Sequence, residues 1–330
     1  METATVDFHT HGWRQSLIAR CTGLAPVPTA VVHPCDSVAL QAALEAAALG
    51  LITPILVGPE AKIRATAQSA SLDIAPFRLE PTPHSHAAAA RGVALVRAGE
   101  AELLMKGSLH TDELMHEVMA VDTGLRTARR ISHVYLMDVP RYPRPLLITD
   151  AAINIAPSLE DKRDIVQNAI DLAHILGLPK PRVAILSAVE TINYKLQSTL
   201  DAAALCKMAD RGQITGALLD GPLAFDNAIS PEAAAEKNIV SPVAGLADIV
   251  VVPDLVAGNI LAKQLTFLAG ADAAGVVMGA RVPIILTSRA DPETARIASC
   301  AVAVLMAYAA RQAEPGADLV ARDRAAPRSI

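Results

Sequence analysis

The sequence predicts an α/β fold with two domains, in which mainly parallel sheets are covered by helices. Short apolar runs rich in branched residues alternate with longer amphipathic segments almost throughout the chain. Runs this apolar are typical of strands buried on both faces, and parallel sheets contain such strands. A chain of 330 residues is long for one hydrophobic core and sufficient for two.

The first half of the chain contains the predicted elements in a regular order. They are a strand TAVVH (29–33), a helix DSVALQAALEAAALG ended by Gly50, a strand PILVG (54–58), a helix 84–98, a strand AELLM (101–105), a helix TDELMHEVM (111–119), and two strands ISHVYLMD (131–138) and PLLITD (145–150). The segment SLEDKRDIVQNAIDLAHILG (158–177) then has the clearest helical pattern. Ser158 and Asp161 resemble a capping box at its start, and Gly177 ends it.

The alternation continues in the second half of the chain. The predicted strands are RVAILS (182–187), ITGALLD (214–220), DIVVVP (248–253), GVVMG (275–279) and VPIIL (282–286), and the predicted helices are STLDAAALCKMADRG, SPEAAAEKN, GNILAKQLTFLAG and a final apolar helix. The apolar stretch IASCAVAVLMAYAA (297–310) of that final helix is too short to span a bilayer, so we expect a buried core helix.

Composition and charge argue against several classes of protein. A net charge of -5 with 3% aromatic residues is unlike a nucleic-acid-binding protein, which needs cations for phosphates and rings for bases. The four cysteines show no C-x-x-C spacing and no metal-like cluster, which indicates reduced thiols. The first residues lack the apolar centre of a secretory signal. We therefore expect a cytoplasmic protein without a nucleic-acid or membrane partner.

A polar cluster follows the predicted strand 282–286 directly. The sequence TSRADPE supplies a hydroxyl on Ser288, a guanidinium on Arg289 and a carboxylate on Asp291. Asp291 and Pro292 have the form of a helix start, with Asp291 as N-cap and Pro292 at the first helical position. In open α/β proteins, ligands bind at such strand-to-helix turns, where free N–H groups favour an anion.

A second turn of this kind is LLMKGSLHTDE (103–113). It places Lys106, Ser108 and Thr111 between a strand and a helix, where Gly107 allows close approach of the backbone. Thr111 is equally suited to cap the helix, and Lys106 to be a solvated lysine. The full P-loop pattern is absent, so this turn alone does not establish a phosphate site.

Further polar residues lie at the ends of two other predicted strands or directly before a third. Asp150 and Asn154 follow the strand 145–150, Asp220 ends the strand 214–220, and Arg130 precedes the strand 131–138. Each has a structural alternative, because turn residues and solvated arginines are common. The nine histidines form no H-x-x-x-H or Ser-His-Asp grouping, and no catalytic role is assigned to them. Together, the polar strand ends predict one shared cleft.

Taken together, these stretches resemble the phosphate acetyltransferase and phosphate butyryltransferase family. The matching segments are LMKGSLHTDEL, GLRTARRISHVYLMDVP, LLITDAAINIAPSLEDKRDIVQNAIDLA, VAILSAVETIN, STLDAAALCKMADRGQITGALLDGPLAFDNAIS, SPVAGLADIVVVPDLVAGNILAKQL and VPIILTSRAD. The resemblance extends in order from about residue 29 to residue 310. The chain is also similar to the transferase half of longer proteins that carry an enoyl-CoA hydratase domain in front, which we do not expect here.

The resemblance implies a fold like that of isocitrate and isopropylmalate dehydrogenases, with an interdomain cleft. It places one discontinuous domain at 1–146 plus 290–330 and a second at 147–289, so that the TSRAD turn lies at the crossover. It also implies reversible acyl transfer between CoA and phosphate, with acetyl favoured and butyryl as the alternative. Acyl-CoA and phosphate are then the substrates, without metal or redox cofactor, and the protein is expected to be a homodimer.

Roles for individual residues also follow from the resemblance. Arg289 is expected to bind phosphate through its planar fork, and Ser288 to stabilise the oxyanion. The acidic residue that the acetyltransferase branch carries seven positions after the serine is missing, because that position is Ala295. Asp291 is our candidate for the base that handles the thiol proton, with Glu293 and Asp220 as alternatives. Two rival functions are a dehydrogenase of the same fold and a non-catalytic acyl-CoA sensor.

Overall fold

The computed structural model describes residues 13–287 and 291–313. Up to residue 130 the elements are α1 (Trp13–Cys21), β1 (Val27–Val32), α2 (Ser37–Ala48), β2 (Ile52–Gly58), α3 (Glu60–Ser69), β3 (Arg78–Pro81), α4 (Ser85–Arg97), β4 (Leu103–Lys106) and α5 (Thr111–Met119). They continue with β5 (Ser132–Asp138), β6 (Leu146–Thr149), α6 (Leu159–Ile175), β7 (Arg182–Leu186), α7 (Gln197–Asp210), β8 (Leu218–Leu223), α8 (Phe225–Ile229), α9 (Pro231–Glu236), β9 (Ile249–Val251), α10 (Leu255–Leu268), β10 (Asp272–Met278), β11 (Ile284–Ile285) and α11 (Glu293–Ala313).

The described chain forms two compact units. The middle unit contains Ile131–Ala274 together with residues 13–16, and the flanking unit contains Leu17–Arg130 and the described residues from Gly275 onward. The family resemblance implies changeovers after residues 146 and 289, and the compact units of the described chain change at residues 130 and 274. The first changeover lies before residue 146 because β5 pairs antiparallel with β6 and therefore folds with the middle unit.

The flanking unit is built on the strand order β3-β2-β1-β4-β11-β10. Neighbouring strands from β3 to β11 are parallel, and β10 pairs antiparallel with β11. All four residues of β4 are buried. Because successive strand residues point to opposite faces, this burial shows that both faces of the sheet are covered. The mainly parallel α/β arrangement predicted from the apolar runs is therefore confirmed.

The middle unit has the strand order β5-β6-β9-β7-β8. The pairs β6–β9, β9–β7 and β7–β8 are parallel, and β5–β6 is antiparallel. Its helix α6 begins with the predicted capping box, in which the Ser158 hydroxyl accepts from the Asp161 N–H and the Asp161 carboxylate accepts from the Ser158 N–H. Gly177 follows at φ +98°, a conformation that favours glycine.

Helix α11 is longer than the apolar stretch 297–310 on which its prediction was based. Its segment Glu293–Gln312 is long and apolar enough to cross a membrane by length and composition, so the length argument against a span was wrong. The expected burial is confirmed, because 72% of its most apolar window is buried within the fold. A mostly buried core helix passes the same length test as a membrane span.

Several elements differ from the sequence prediction for identifiable reasons. Helices α1, α3 and α8 and strand β3 are not among the predicted elements. Helix α3 buries only Ile63 and Ala67, and β3 is an edge strand without a buried residue, so neither has a clear apolar pattern. Strand β11 is shorter than predicted, because its backbone pairs with β4 and β10 only at Ile284 and Ile285.

Candidate active site

The carboxyl ends of β1 and β4 lie side by side in the flanking unit. The strands are parallel, and Val32 is paired with Lys106 at the last residue of each. Beyond the strands, the Gly107 N–H donates to the Val32 carbonyl at 2.8 Å. A Cβ on Gly107 would lie 2.4 Å from that oxygen, so only glycine permits this approach. The close approach that the sequence predicted for Gly107 is confirmed, and its neighbour is the turn after β1.

Lys106 is not the solvated loop lysine that was considered as the alternative. Its side chain is buried, with the residue only 4% exposed. The Nζ donates to the carbonyl oxygens of Gly107 at 3.3 Å and Leu109 at 3.1 Å. The ammonium therefore supports the polypeptide turn between β4 and α5 and brings a positive charge to the strand ends.

Ser108 connects this turn to the turn after β1. Its hydroxyl donates to the His33 carbonyl at 2.8 Å and accepts from the Cys35 N–H at 3.3 Å. The same oxygen lies 3.0 Å from Nδ1 of the His33 ring. Ser108 thus forms hydrogen bonds with His33 and Cys35, which are not among the predicted site residues. His33 could have been found by the criterion that selected Lys106, because it is a polar residue directly after an apolar strand.

The local environment changes the protonation of both residues beside Ser108. Burial and the nearby Lys62 lower the pKa of His33 from its ordinary value of 6.5. Burial raises the pKa of the Cys35 thiol to about 11. At neutral pH the imidazole of His33 is therefore mainly neutral, and the Cys35 thiol keeps its proton.

Two other predicted binding residues of the flanking unit are placed differently. Thr111 is the first residue of α5, and the N-cap position belongs to His110, so the expected capping by Thr111 was wrong by one residue. Thr111 remains half-buried at the turn that contains Lys106 and Ser108. Arg130 is exposed and is the last residue of the segment Leu17–Arg130 of this unit.

In the middle unit, Asp150 and Asn154 come together after β6. The Asp150 carboxylate accepts the backbone N–H groups of Ala152, Ile153 and Asn154 at 2.9–3.2 Å. The Asn154 amide donates to Asp150 Oδ2 at 2.5 Å and to the Ile131 carbonyl at 2.9 Å. Both residues are 3% exposed. These contacts match the structural alternative, in which both side chains satisfy the backbone of a turn.

Asp220 does not end its strand, which corrects the prediction. Strand β8 continues through Gly221 and Pro222 to Leu223. The proline is tolerated because β8 is at the edge of its strand order and because a register shift occurs opposite residues 184–186. Asp220 Oδ1 accepts a hydrogen bond from the N–H of the next residue, Gly221, at 2.8 Å, and the residue is half-buried.

The TSRAD turn follows β11, whose parallel pairing with β4 places their carboxyl ends at the same edge of the flanking unit. Ser288 and Arg289 lie outside the described residues, so their roles stay predictions. Thr287 is buried, and its hydroxyl accepts from Nη1 of Arg296 at 3.1 Å. Arg296 is 3% exposed and is not among the predicted site residues.

Helix α11 begins one residue later than predicted. The Pro292 carbonyl accepts from the Arg296 N–H at 3.4 Å, so Pro292 rather than Asp291 is the residue preceding the helix. Asp291 is half-buried, whereas Glu293 is exposed and accepts from Gln41 Nε2 at 3.3 Å. Ala295 is buried at 6% exposure, at the position where the acetyltransferase branch has an acidic residue.

Comparison with known proteins identifies relatives of this chain. A family model described as Phosphate acetyl/butaryl transferase matches residues 82–304. A phosphate acetyltransferase of Rhizobium meliloti is 67% identical over 296 residues, which cover 90% of this chain and 93% of the relative. A phosphate butyryltransferase of Clostridium acetobutylicum is 41% identical over 272 residues, which cover 82% of this chain and 90% of the relative.

Solved structures show the same similarity. A branched-chain phosphotransacylase from Enterococcus faecalis V583 superposes with a TM-score of 0.74 at 30% identity, covering 86% of this chain and 99% of that chain. A 4-hydroxythreonine-4-phosphate dehydrogenase from Klebsiella pneumoniae has a TM-score of 0.51 at 13% identity and covers 86% of this chain and 100% of that chain. The second similarity concerns the fold alone.

Proposed function

Because this chain belongs to the phosphate acetyltransferase and butyryltransferase family, we propose that it transfers an acyl group reversibly between CoA and inorganic phosphate. The products in one direction are acyl phosphate and free CoA. The observation that carries the proposal is the 67% identity to a phosphate acetyltransferase over 90% of the chain. The same observation favours acetyl as the acyl group, since the similarity to a butyryltransferase is lower, at 41%.

The geometry of the flanking unit supports an anionic substrate. The parallel strands β1, β4 and β11 end at one edge, which is where ligands bind in open α/β proteins. Lys106 brings a buried positive charge to this edge, and Ser108 and Thr111 bring hydroxyl groups. These three residues are the proposed phosphate or substrate ligands there.

The remaining site residues complete the proposal. Arg289 binds phosphate as a planar fork, and Ser288 donates to the carbonyl oxygen as negative charge develops on it. Arg130, Asp150, Asn154 and Asp220 are proposed substrate-binding residues on the basis of the family resemblance. For Asp150 and Asn154, the contacts within the turn after β6 favour a role in shaping the backbone around the substrate.

The proposed reaction involves acyl-CoA and phosphate as substrates and no other cofactor. Attack of phosphate on a thioester is accelerated by positioning of the two substrates and by stabilisation of the oxyanion. The reaction is neither an oxidation nor a reduction. We propose a cytoplasmic enzyme with no nucleic-acid or membrane partner. The fold is proposed to be of the isocitrate and isopropylmalate dehydrogenase type with substrates in a cleft, and its similarity to another dehydrogenase structure supports that fold.

The proposed partner is a second copy of this chain. Helix α10 of the middle unit buries only Gly258 and Ala262 and exposes large apolar side chains. Val256, Ile260 and Phe267 are 63%, 52% and 69% exposed, and their spacing places them on one side of the helix. Monomeric proteins rarely expose such a patch, so its exposure favours a homodimer in which a second copy covers it.

The purified protein is expected to release CoA from acetyl-CoA only when phosphate is present. The free thiol is measured with a thiol reagent, and a reaction without phosphate is the control. We expect kcat/KM for butyryl-CoA to be at least about tenfold lower, because two extra methylene groups must fit an acetyl pocket. If neither thioester yields phosphate-dependent CoA release, the acyltransferase proposal is wrong, and the dehydrogenase and the acyl-CoA sensor are the remaining alternatives.

The Asp291→Asn variant is expected to turn over more slowly in the direction that uses free CoA. A thiol with a pKa near 8.5 is mostly protonated at neutral pH, so a base beside the sulfur accelerates its attack. Asp291 precedes α11 by two residues, and asparagine preserves its size and hydrogen-bonding capacity. The measurement is kcat with acetyl phosphate and CoA between pH 6 and 9, beside the unfolding midpoint. Unchanged kcat across this range would show that the thiol proton goes elsewhere.

A further inference from the structure

The backbone of His33 is fixed in an uncommon conformation at the end of β1. Its φ of +56° lies in the left-handed region, which residues other than glycine rarely adopt. Its carbonyl oxygen accepts three hydrogen bonds, from Cys35 N at 2.9 Å, Ser108 N at 2.9 Å and Ser108 Oγ at 2.8 Å. Its own N–H donates to Val57 O at 2.7 Å. Backbone conformations of this kind occur often at functional sites, where the surroundings hold them in place.

The imidazole ring of His33 is also held by a hydrogen bond. Ser108 has one hydroxyl proton, and the hydroxyl donates it to the His33 carbonyl. Both contacts of this hydroxyl are satisfied in the tautomer in which Nδ1 carries the proton and donates to Ser108 Oγ at 3.0 Å. This hydrogen-bond network assigns the proton to Nδ1 and leaves a lone pair on Nε2. Within residues 13–287 and 291–313, no hydrogen bond to Nε2 is formed, and the residue is only half-buried.

We propose that Nε2 of His33 is the catalytic base that takes the proton from phosphate. This inference rests on the proposed acyl transfer and adds a residue to it. As a phosphate oxygen attacks the thioester carbon, its O–H bond breaks, an Nε2–H bond forms and the C–S bond breaks. The departing sulfur takes one proton from Asp291 or water, and the imidazolium returns its proton to solvent. In the reverse direction the imidazolium protonates the departing phosphate.

The surroundings of His33 favour the phosphate end of the reaction over the thiol end. Its ring is hydrogen-bonded to Ser108, which follows the buried ammonium of Lys106 in the proposed phosphate-binding turn. Cys35 does not compete as a base, because burial raises its thiol pKa to about 11.

Three charged side chains act on the ring. Burial and Lys62 on α3 lower the pKa of His33, whereas Glu113 on α5, a backbone hydrogen bond and Asp36 raise it by smaller amounts. The net direction is downward from 6.5, so the neutral form predominates at pH 7. Because a base must be unprotonated, the contribution of His33 is expected to be present at neutral pH and to be lost as the pH falls through its lowered pKa.

The first test is the His33→Asn variant. Asparagine tolerates the left-handed conformation and can still bond to Ser108, but it has no atom in place of the basic Nε2. We expect kcat for acetyl-CoA plus phosphate to fall about 10²–10⁴-fold, with the KM for acetyl-CoA little changed. The matched control is His116→Asn, which changes an exposed histidine on α5 and should leave kcat unaltered. Unfolding midpoints of both variants are measured alongside.

The pH profile separates a base from a structural residue. Dividing the rate of the unaltered protein by that of His33→Asn cancels the titration of phosphate itself. This ratio is expected to decrease as the pH is lowered below 6.5, because only the unaltered protein loses a base there. A ratio that is constant between pH 5 and 8 would overturn the assignment, even if His33→Asn is slow.

A second variant tests the assignment by chemical rescue. In His33→Gly the backbone adopts φ +56° without strain, and the missing ring leaves room for added imidazole. We expect imidazole to restore activity to His33→Gly at least tenfold and to have no such effect on His33→Asn. The assignment of His33 as the base is overturned if imidazole does not rescue His33→Gly and the rate ratio is constant. It is also overturned if His33→Asn keeps more than half of the normal kcat. Inactivity of the unaltered protein would overturn the acyl transfer itself and this inference with it.

Discussion

Arg289→Ala is expected to lower phosphate-dependent turnover by tens to hundreds-fold. The guanidinium is the proposed ligand of phosphate, and its planar fork donates two parallel charge-assisted hydrogen bonds. Losing them costs roughly 2–4 kcal/mol of transition-state stabilisation, which gives the stated loss of rate. Because the proposed contact of Arg289 is to phosphate, the KM for phosphate should rise far more than the KM for acetyl-CoA. Initial rates at varied concentrations of both substrates measure this difference.

Two further variants make the Arg289 result specific. Arg289→Lys keeps the positive charge but loses the fork, so its activity should lie between those of Arg289→Ala and the unaltered protein. Arg141→Ala removes an exposed arginine of the middle unit and should not change either KM. If Arg289→Ala has near-normal turnover and an unchanged phosphate requirement, Arg289 is not a substrate ligand.

Asp201→Ala is expected to destabilise the middle unit by about 3–5 kcal/mol, because it breaks a buried ion pair. Lys162 on α6 and Asp201 on α7 are each 6% exposed, and their charged atoms are 2.6 Å apart. The other carboxylate oxygen of Asp201 accepts from Gln197 Nε2 at 2.8 Å. Removing the carboxylate leaves the Lys162 ammonium buried without its counter-charge. Urea unfolding followed by circular dichroism measures the shift of the transition midpoint.

The chain contains a matched control for this prediction. Lys207 and Asp210 form an ion pair of the same length, 2.6 Å, but both side chains are more than 60% exposed. Asp210→Ala should therefore leave the urea midpoint unchanged within error, because water solvates both charges. A double variant, Lys162→Met with Asp201→Leu, should recover most of the lost stability. Equal midpoints for Asp201→Ala and Asp210→Ala would show that burial does not determine the effect of this pair.

The sequence predicts those parts of the fold that local pattern determines. Helix α5 has the predicted bounds, Thr111–Met119, and the capping box of α6 forms as expected. Elements with weak apolar patterns, such as α3 and β3, are not recognisable in this way. The extent of β8 beyond Asp220 depends on its being an edge strand, which is a property of the whole sheet.

The limit of prediction from the sequence is clearer at the candidate site. Polar residues after apolar strands can be selected from the sequence, and Lys106 and Ser108 were found in this way. The contact between Ser108 and His33 joins residues 75 positions apart, and only the parallel pairing of β1 with β4 brings them together. The burial of Lys106 and of Arg296 likewise depends on tertiary packing. Sequence spacing therefore indicates which residue types are available but not which of them meet.

The interruption of the flanking unit by the middle unit has a consequence for synthesis on the ribosome. Strand β4 emerges early, but its neighbour β11 emerges only after the whole middle unit has been translated. At ordinary translation rates this interval lasts roughly 10–40 s, during which one edge of β4 has unpaired N–H and C=O groups. The middle strands, by contrast, are contiguous in sequence and can pair as soon as they leave the exit tunnel. A nascent chain that stalls between Val251 and Ile284 therefore contains all of the middle strands while β4 still has an open edge, and an open edge of this kind promotes aggregation.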